Sequence, residues 1–477
     1  MNRYLTYQEG ELLFEDTPLS EIAQEMYTPF YVYSKAAILE RVEALKQAFS
    51  EIKPMIAFNM KALDTTLILK ILKERGCSLA VENINEIEKA LKAGFQPTSL
   101  ILNSNGLPEH EVRAILKQKP LIISVSSMFE LEPLNELATE LDVGVRIGIR
   151  VNLGIDVGGF PGTNIGAKDS RVGIPKKDVD QAVAMISKLP QLNLVGLACH
   201  LGSQIVQLAP WIRLSEEMAG LFKEVSGQGF NLEYLDLGGG FPVDYGKGDY
   251  LEIKKIARNI VPHVKDLDCR VVLEPGRYIT AEAGVLVTTV QGVKEVGSKK
   301  YVICDAGFAE FPRCAVYRLD HEVVPLTEPF QAPAAGAFAA GGEDEPVGVA
   351  VNPDMGDPGE LGDRTTVPTE FLATPEAAGE RPEPHTPGEP ITADIVGPGS
   401  EGLDYLAREA TIRQPKRGDL LAVLNVGAYG RTMSSNYSSR LRPPEILIER
   451  DKFEIIRGRE TVDDLLACDF EESEIEA

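Results

Sequence analysis

The chain has 477 residues, 44% of them hydrophobic, with 48 Lys and Arg against 72 Asp and Glu, a formal net charge of −24. That length and apolar content provide for two domains, or one large one, with a sizeable core. The charge argues against nucleic acid and anionic membrane surfaces, which call for compensating Lys and Arg, and leaves small-molecule chemistry.

The first residues, MNRYLTYQEGELLFED, have neither the basic-then-apolar order of a signal peptide nor an Arg-rich transit character, and no later apolar run reaches spanning length. A cytoplasmic location without a membrane partner is expected. Six cysteines, at 77, 199, 269, 304, 314 and 468, show no metal-ligand spacing, and the five histidines include no i, i+4 pair. The thiols therefore read as reduced and mostly buried, and no metal site is expected.

From about residue 54, short apolar runs alternate with amphipathic stretches. The runs are PMIAFNM (54–60), CSLAVE (77–82), SLILNS (99–104), LIISVS (121–126), GVRIGIRV (144–151), LNLVGLACHLG (192–202), LEYLDLGGG (232–240) and RVVLEPGR (270–277). Between them, residues 65–76, 85–94 and 177–189 carry apolar positions at helical spacing. Strands buried on both faces read as continuous apolar runs, so eight of them separated by helices predict an α/β fold, a (β/α)8 barrel of the TIM type over residues 36–280. After residue 280 come strand-like runs without long helices, VLVTTVQGVKEV, YVICDAG, EVVPL, DLLAVLNVG and EILIERDKFEII. These predict an all-β carboxyl-terminal domain over 281–477, joined by residues 1–35 with their run FYVY. Residues 327–391 interrupt it with 11 prolines, 9 glycines and 13 acidic residues against Arg364 and Arg381. Such a composition buries too little surface to offset ordering entropy and reads as a disordered or loosely held insertion, with an acidic interaction segment as the alternative.

In a barrel of this kind the site forms at the carboxyl ends of the strands. The first run ends in Met60-Lys61, the sixth in His200-Leu201-Gly202-Ser203, the seventh in Gly238-Gly239-Gly240 and the eighth in Glu274-Pro275-Gly276-Arg277. Each feature has a plain structural explanation. Three glycines make a tight turn, a lysine at a strand end is usually solvated, a lone histidine is usually a satisfied core residue, and Glu274 can pair locally with Arg277. Together they are the parts that hold pyridoxal 5'-phosphate. Lys61, its pKa lowered by burial, offers an amine for a Schiff base, and the glycines and Arg277 face a phosphate. His200 stacks on the ring, and Glu274 keeps the ring nitrogen protonated.

The chain resembles the fold-type III pyridoxal phosphate decarboxylases, most closely their diaminopimelate branch. The resemblance rests on TPFYVYSKAAILERV (28–42), FNMKAL (58–63), HLGSQI (200–205), GGGFPVDY (238–245), EPGR (274–277), RCAVY (313–317), GAYGRTMSSNYSSRLRPPEILI (427–448) and IRGRETVDDLLA (456–467). It implies an alanine racemase-like fold and a homodimer with shared active sites. It also implies a small amino-acid substrate, and decarboxylation of meso-2,6-diaminopimelate to L-lysine. The cofactor residues it implies are Lys61, His200, Ser203, Gly238, Gly239, Gly240, Glu274, Gly276, Arg277 and Tyr429. Arg277, Arg313 and Tyr317 would hold the substrate's distal carboxylate, Glu401 its distal ammonium, and Tyr429 would approach both cofactor and substrate.

The segment GPGSEGLD (397–404) falls where the family carries a Cys-Glu-Ser-Gly-Asp loop that enters the neighbouring subunit's site. The family's proton-donating cysteine is Ser400 here. A thiol titrates near about 8.5 and a serine hydroxyl is a far weaker acid, so three outcomes follow. Water or Lys61 supplies the proton at a reduced rate, decarboxylation ends in transamination, or the chain is a non-catalytic homologue. Gly-Leu-Asp after Glu401, with GGGFP and EPGRY, also resembles the ornithine-type branch, so an L-ornithine or L-lysine decarboxylase is the alternative within the class. SLAVENINE (78–86) and LNSNGL (102–107) depart from the family's usual second and third strand ends.

Overall fold

The apolar runs become strands whose side chains alternate between two cores. In the computed structural model, which describes residues 3–103, 105–159, 161–246, 248, 250–327 and 388–469, all eight form one closed sheet. They are Met55–Asn59, Ser78–Val81, Leu100–Asn103, Ile122–Val125, Val145–Asn152, Leu192–Ala198, Tyr234–Asp236 and Arg270–Leu273. Each pairs in parallel with its neighbours, and the last closes on the first with Val272 opposite Met55. Met55 and Ala57 join Ala80, Ile101 and Ile122 in a small cluster, while Ile56 and Phe58 join the large cluster that includes the helical residues Ile68 and Leu72. One face of the strand thus fills the barrel and the other packs on the helices.

The connecting helices form where the periodicity places them. Residues 65–76, 85–94 and 177–189 yield Thr66–Glu74, Ile84–Lys92 and Val179–Ile186. The second starts at Asn83, whose side chain accepts the Glu86 N–H at 2.9 Å and satisfies one of the orphan amides of the first turn. These three helices bury apolar stripes, such as Ile68, Leu69, Ile71 and Leu72 of the first.

The run FYVY forms a strand of the second large sheet. Phe30–Ser34 pairs antiparallel with Gly284–Val296 and parallel with Glu445–Glu449. Its residues alternate, with Tyr31 and Tyr33 facing the core shared with the barrel and Phe30 and Val32 facing a second core with Leu12, Phe14 and Ile22. Ser34 then caps the helix Lys35–Ala48 by accepting the Ala37 N–H at 3.0 Å, so the chain leaves the β domain for the barrel within two residues. All six cysteines are free thiols.

Two strands of this domain were not anticipated, Pro390–Val396 and Tyr405–Arg413. The latter presents the exposed Arg408 and Glu409 in mid-strand, which breaks the apolar run that marks the others. Of the segment 327–391, Thr327 bridges to Glu11 and Pro390 opens a strand; residues 328–387 lie outside the described residues.

Where Gly427 meets Thr280, barrel and β domain approach through backbone with no room for a side chain. A Cβ on Gly427 would lie 2.0 Å from the Thr280 carbonyl oxygen, and one on Gly284 would lie 2.4 Å from the Gly427 Cα. Gly427→Ala is expected to lower the free energy of unfolding by about 3 kcal/mol in urea titration, because the clash is with backbone and cannot be relieved by a rotamer. Gly458→Ala, with nothing within 4 Å of the added carbon, is the control expected to leave the midpoint unchanged.

Candidate active site

Lys61 stands in the turn Met60–Ala62 that ends the first barrel strand. Its Nζ donates to Glu82 at the end of the second strand, from the stretch SLAVENINE. The sequence led us to expect a lowered lysine pKa, and the structure gives the opposite direction. Burial pulls the ammonium down, but Glu82 and then Tyr429 push it up, and the net shift is upward. With 43% of the Lys61 side chain open to the barrel mouth, desolvation is incomplete and the neighbouring negative charge decides the sign.

His200 ends the sixth strand, half-buried, and its Nδ1 accepts the Gly239 N–H at 3.0 Å, so the proton of the neutral ring sits on Nε2. Burial first, then Arg150 and Lys61, hold its pKa down to about 3. The ring is therefore a neutral aromatic face at physiological pH rather than a cation. The three glycines behind it are required by packing. Gly238 (φ +69°) would place a Cβ 2.7 Å from the Cys199 carbonyl oxygen, and Gly239 would place one 2.1 Å from that of Glu274. Only bare backbone lets strands six, seven and eight approach this closely. Phe241, just after them, stacks on Trp211 with ring centroids 4.8 Å apart and fixes where the glycine turn ends.

Glu274 is buried, and one of its carboxylate oxygens accepts from Asn103 Nδ2 at 2.5 Å rather than from Arg277. Asp236 lies beside it. Burial and the Glu274 charge raise the Asp236 pKa well above the usual carboxylate range. Asn103 and Asp236 were not singled out in the sequence; both sit at strand ends, and only the closed barrel brings them to Glu274.

Arg277 reaches across the mouth. Its Nε and Nη2 donate to Ser203 Oγ at 3.0 and 2.8 Å, and its Nη1 to the Tyr245 hydroxyl at 2.6 Å. Arg313 shares that hydroxyl at 3.1 Å and also donates to the Ala428 carbonyl at 3.3 Å. The remaining edge of Arg313, Nε and Nη2, is buried without a hydrogen-bond partner among the described residues. The Arg313 guanidinium also lies 5.6 Å from the Tyr429 ring centre and 5.9 Å from that of Tyr317. Tyr245 opposes burial with the two guanidiniums, and its pKa is lowered. It occurs in GGGFPVDY, but nothing in that motif reveals that it bridges two arginines.

Tyr429 is held in the left-handed region, φ +59°, with its N–H on the Ala62 carbonyl at 2.8 Å. An aromatic residue in that conformation is strained and persists only where surrounding packing imposes it. The consequence here is that its hydroxyl lies 3.2 Å from where a Cβ on Gly276 would sit.

Ser400 and Glu401 are not brought to Lys61 within the chain. They occupy the exposed tip of a loop folded around Asp404, whose carboxylate accepts the N–H groups of Phe308 and Gly399, both at 2.5 Å. Gly397 and Gly399 are needed because a Cβ on either would come within 2.4 and 2.6 Å of that carboxylate. Glu401 accepts a hydrogen bond from Tyr437 of the β domain. The segment is an ordered turn rather than a continuation of a linker.

The depressed His200 pKa makes stability depend on pH. Its contribution is complete above the ordinary value of 6.5 and is lost as pH falls from there toward about 3, since the unfolded chain takes up the proton first. Between pH 7.5 and 5 the thermal midpoint of the wild type is expected to fall more steeply than that of His200→Asn, which keeps an acceptor for Gly239 but does not titrate. Equal slopes would contradict the assignment.

The family comparisons agree with this geometry. The pyridoxal binding domain of the pyridoxal-dependent decarboxylases matches residues 35–281, and their carboxyl-terminal sheet domain matches 367–427. Diaminopimelate decarboxylase of Aquifex aeolicus is 32% identical over 466 residues, 97% of this chain and 96% of that one. The enzyme of the same name from Pseudomonas aeruginosa is 31% identical, with 97% of each chain covered. The crystal structure of Helicobacter pylori diaminopimelate decarboxylase with L-lysine superposes with a TM-score of 0.79 at 29% identity, over 94% of this chain and 98% of that one. The glycine cradle, the amine of Lys61, the neutral His200 ring and the Glu274 carboxylate fit a phosphorylated pyridine aldehyde, and the chain belongs to the pyridoxal-dependent decarboxylase family.

Proposed function

We propose that this protein decarboxylates meso-2,6-diaminopimelate to L-lysine with pyridoxal 5'-phosphate. The observation that carries the substrate assignment is the buried, unpartnered Nε–Nη2 edge of Arg313. A guanidinium edge presents two parallel N–H groups that match the two oxygens of a carboxylate, and leaving it unpaired in a buried site is unfavourable. Diaminopimelate carries a carboxylate at the end away from the reacting carbon; ornithine and lysine do not, and would leave that fork empty. The relatives that match over nearly the whole chain carry the same activity in their names.

Lys61 would hold the cofactor's aldehyde carbon, Gly238 to Gly240, Gly276 and Ser203 its phosphate, and Glu274 its ring nitrogen. When bound, the cofactor supplies a conjugated ring that accepts the electron pair released as carbon dioxide leaves. The chain's own residues set the conditions for that loss. His200, neutral, would lie against the ring without adding charge. Asp236 and Asn103 fix the Glu274 carboxylate by hydrogen bonding. Lys61, kept as an ammonium by Glu82, can carry a proton at Nζ. Arg277 has its Nε and both Nη atoms engaged by Ser203 and Tyr245, so its part is to position those groups and, with Tyr245, to orient Arg313. Tyr317 and Tyr429 line the Arg313 pocket and exclude water from it.

The exposed Ser400–Glu401 turn supports a homodimer in which each chain lends this turn to the other's site, with Glu401 receiving the substrate's distal ammonium. Ser400 then occupies the position of a proton donor with low acidity, and turnover slower than with a thiol there is expected. Among the described residues no helix is long and apolar enough to cross a membrane, and with the net charge of −24 this supports a cytoplasmic enzyme.

Arg313→Met tests the substrate assignment. Its kcat/KM for diaminopimelate is expected to fall roughly 100- to 1000-fold, about 3 to 4 kcal/mol, mostly through KM, with little change for L-lysine offered as substrate. Equal losses for both amino acids would remove the distal carboxylate from the account.

A further inference from the structure

A second polar pocket of about 350 Å³ lies on the seam between barrel and β domain, and its lining shares no residue with the Lys61 cluster. The barrel contributes Asp64 and Thr66, just after Lys61, and Lys89 from the helix Ile84–Lys92; the β domain contributes Arg431, Thr432, Arg442 and Arg457. Four cations converge there.

Three carboxylates answer them, and each is already committed. Asp64 takes Lys89 and, at 3.1 Å, Arg457. Glu445, fully buried, takes Arg457 at 2.9 Å and also accepts from Tyr33 and Thr65 at 2.7 and 2.8 Å. Glu460 uses one oxygen for Asn436 at 2.6 Å and the Arg442 N–H at 3.0 Å. Its other oxygen faces Arg442 Nη1 at 3.5 Å and Arg431 Nη2 at 3.8 Å, too far to satisfy either. One positive charge is left over. Donors are left over as well, since Arg442 Nε and Thr432 Oγ1 are buried without a hydrogen-bond partner among the described residues. Arg431 is only 7% exposed, with Nε on the Pro443 carbonyl and Nη1 on Ser434, which leaves Nη2 to the Glu460 oxygen at 3.8 Å. Burial, followed by the charges of Arg457 and Arg442, lowers the Arg431 pKa against the pull of Glu445, which is the direction expected of a cation short of counter-charge.

We propose that this pocket is a binding site for a small oxyanion, a phosphate or the phosphoryl group of a metabolite, held by Arg431, Arg442, Lys89 and Thr432. A tetrahedral anion supplies several acceptor oxygens to donors that arrive from different directions, and guanidinium groups suit it better than a compact ammonium alone. Its place gives it a function. Asp64 and Thr66 continue from Lys61, Arg431 and Thr432 continue from Tyr429, and those two segments are joined by the Tyr429 N–H on the Ala62 carbonyl at 2.8 Å. An anion seated between them ties the lysine turn to the strained tyrosine turn, so occupancy couples anion concentration to the geometry of the site.

The test is calorimetric titration of the pyridoxal phosphate-loaded enzyme with inorganic phosphate, and separately with glycerol phosphate, against sodium chloride at matched ionic strength. One phosphate per chain is expected. Arg442→Met and Thr432→Val are each expected to weaken it at least tenfold, and Arg313→Met to leave it unchanged. Tighter binding of glycerol phosphate would identify a phosphorylated metabolite as the occupant, and weaker binding the free ion; either supports the site. Absence of binding beyond the chloride control, binding that survives both seam variants, or binding lost in Arg313→Met would overturn it. Because Thr432→Val removes one hydroxyl and no charge, it keeps the test valid if Arg442→Met fails to fold.

Discussion

The hydrogen bond from the Tyr429 N–H to the Ala62 carbonyl is the contact on which the rest of the site depends. It joins the β domain to the turn that carries Lys61, and it does so through main chain, so no side-chain rotamer can loosen it. Gly427 and Gly284 make it possible by letting the two domains meet with backbone in van der Waals contact. Tyr429 adopts a conformation that costs on the order of 1 kcal/mol or more, and the joint repays this by placing an aromatic ring between the lysine and the two arginines. A barrel without this neighbour would still present Lys61, His200 and the glycine cradle, but not the buried guanidinium of Arg313.

Electrostatics then divides the mouth into regions of different character. Around Glu274, carboxyl groups are crowded and the Asp236 pKa is raised; around Arg277 and Arg313, two cations are held together by the hydroxyl of Tyr245. Lys61 lies between, its charge fixed by Glu82 from one strand away. His200 contributes a face without charge. These pairings are local, so each is strengthened by the low dielectric of its surroundings. A dicarboxylate with one reacting end fits this division better than a substrate with a single carboxylate.

Much of the fold could be read from the sequence because its physical cause is local. A strand buried on both faces is largely apolar, as LIISV, GVRIGIRV and LNLVGLA are despite Arg146, Arg150 and Asn193. Tyr405–Arg413 escaped notice because one of its faces meets solvent and carries charge. In the site, the residues legible in advance stand at strand ends with distinctive chemistry, such as Lys61, the three glycines and Arg277. Asn103 and Tyr245 were not, since each acts on a partner far away in sequence: Asn103 meets Glu274, and Tyr245 meets Arg313. The direction of the Lys61 shift was misjudged for the same reason. Burial can be guessed from a strand end, but Glu82 becomes its neighbour only when adjacent strands pair. The serine at position 400 is fully visible in the sequence, whereas its consequence depends on what comes to surround the exposed turn.

The central claim is that these residues catalyse decarboxylation with retention of the amine and protonation at the alpha carbon. It is tested most directly by mass spectrometry of the product formed from meso-diaminopimelate by the pyridoxal phosphate-loaded enzyme in deuterated water, beside a Ser400→Cys variant. The account requires L-lysine with one deuterium at the alpha carbon, formed faster by the Cys variant. An aldehyde with pyridoxamine phosphate, or no product from either protein, would contradict it.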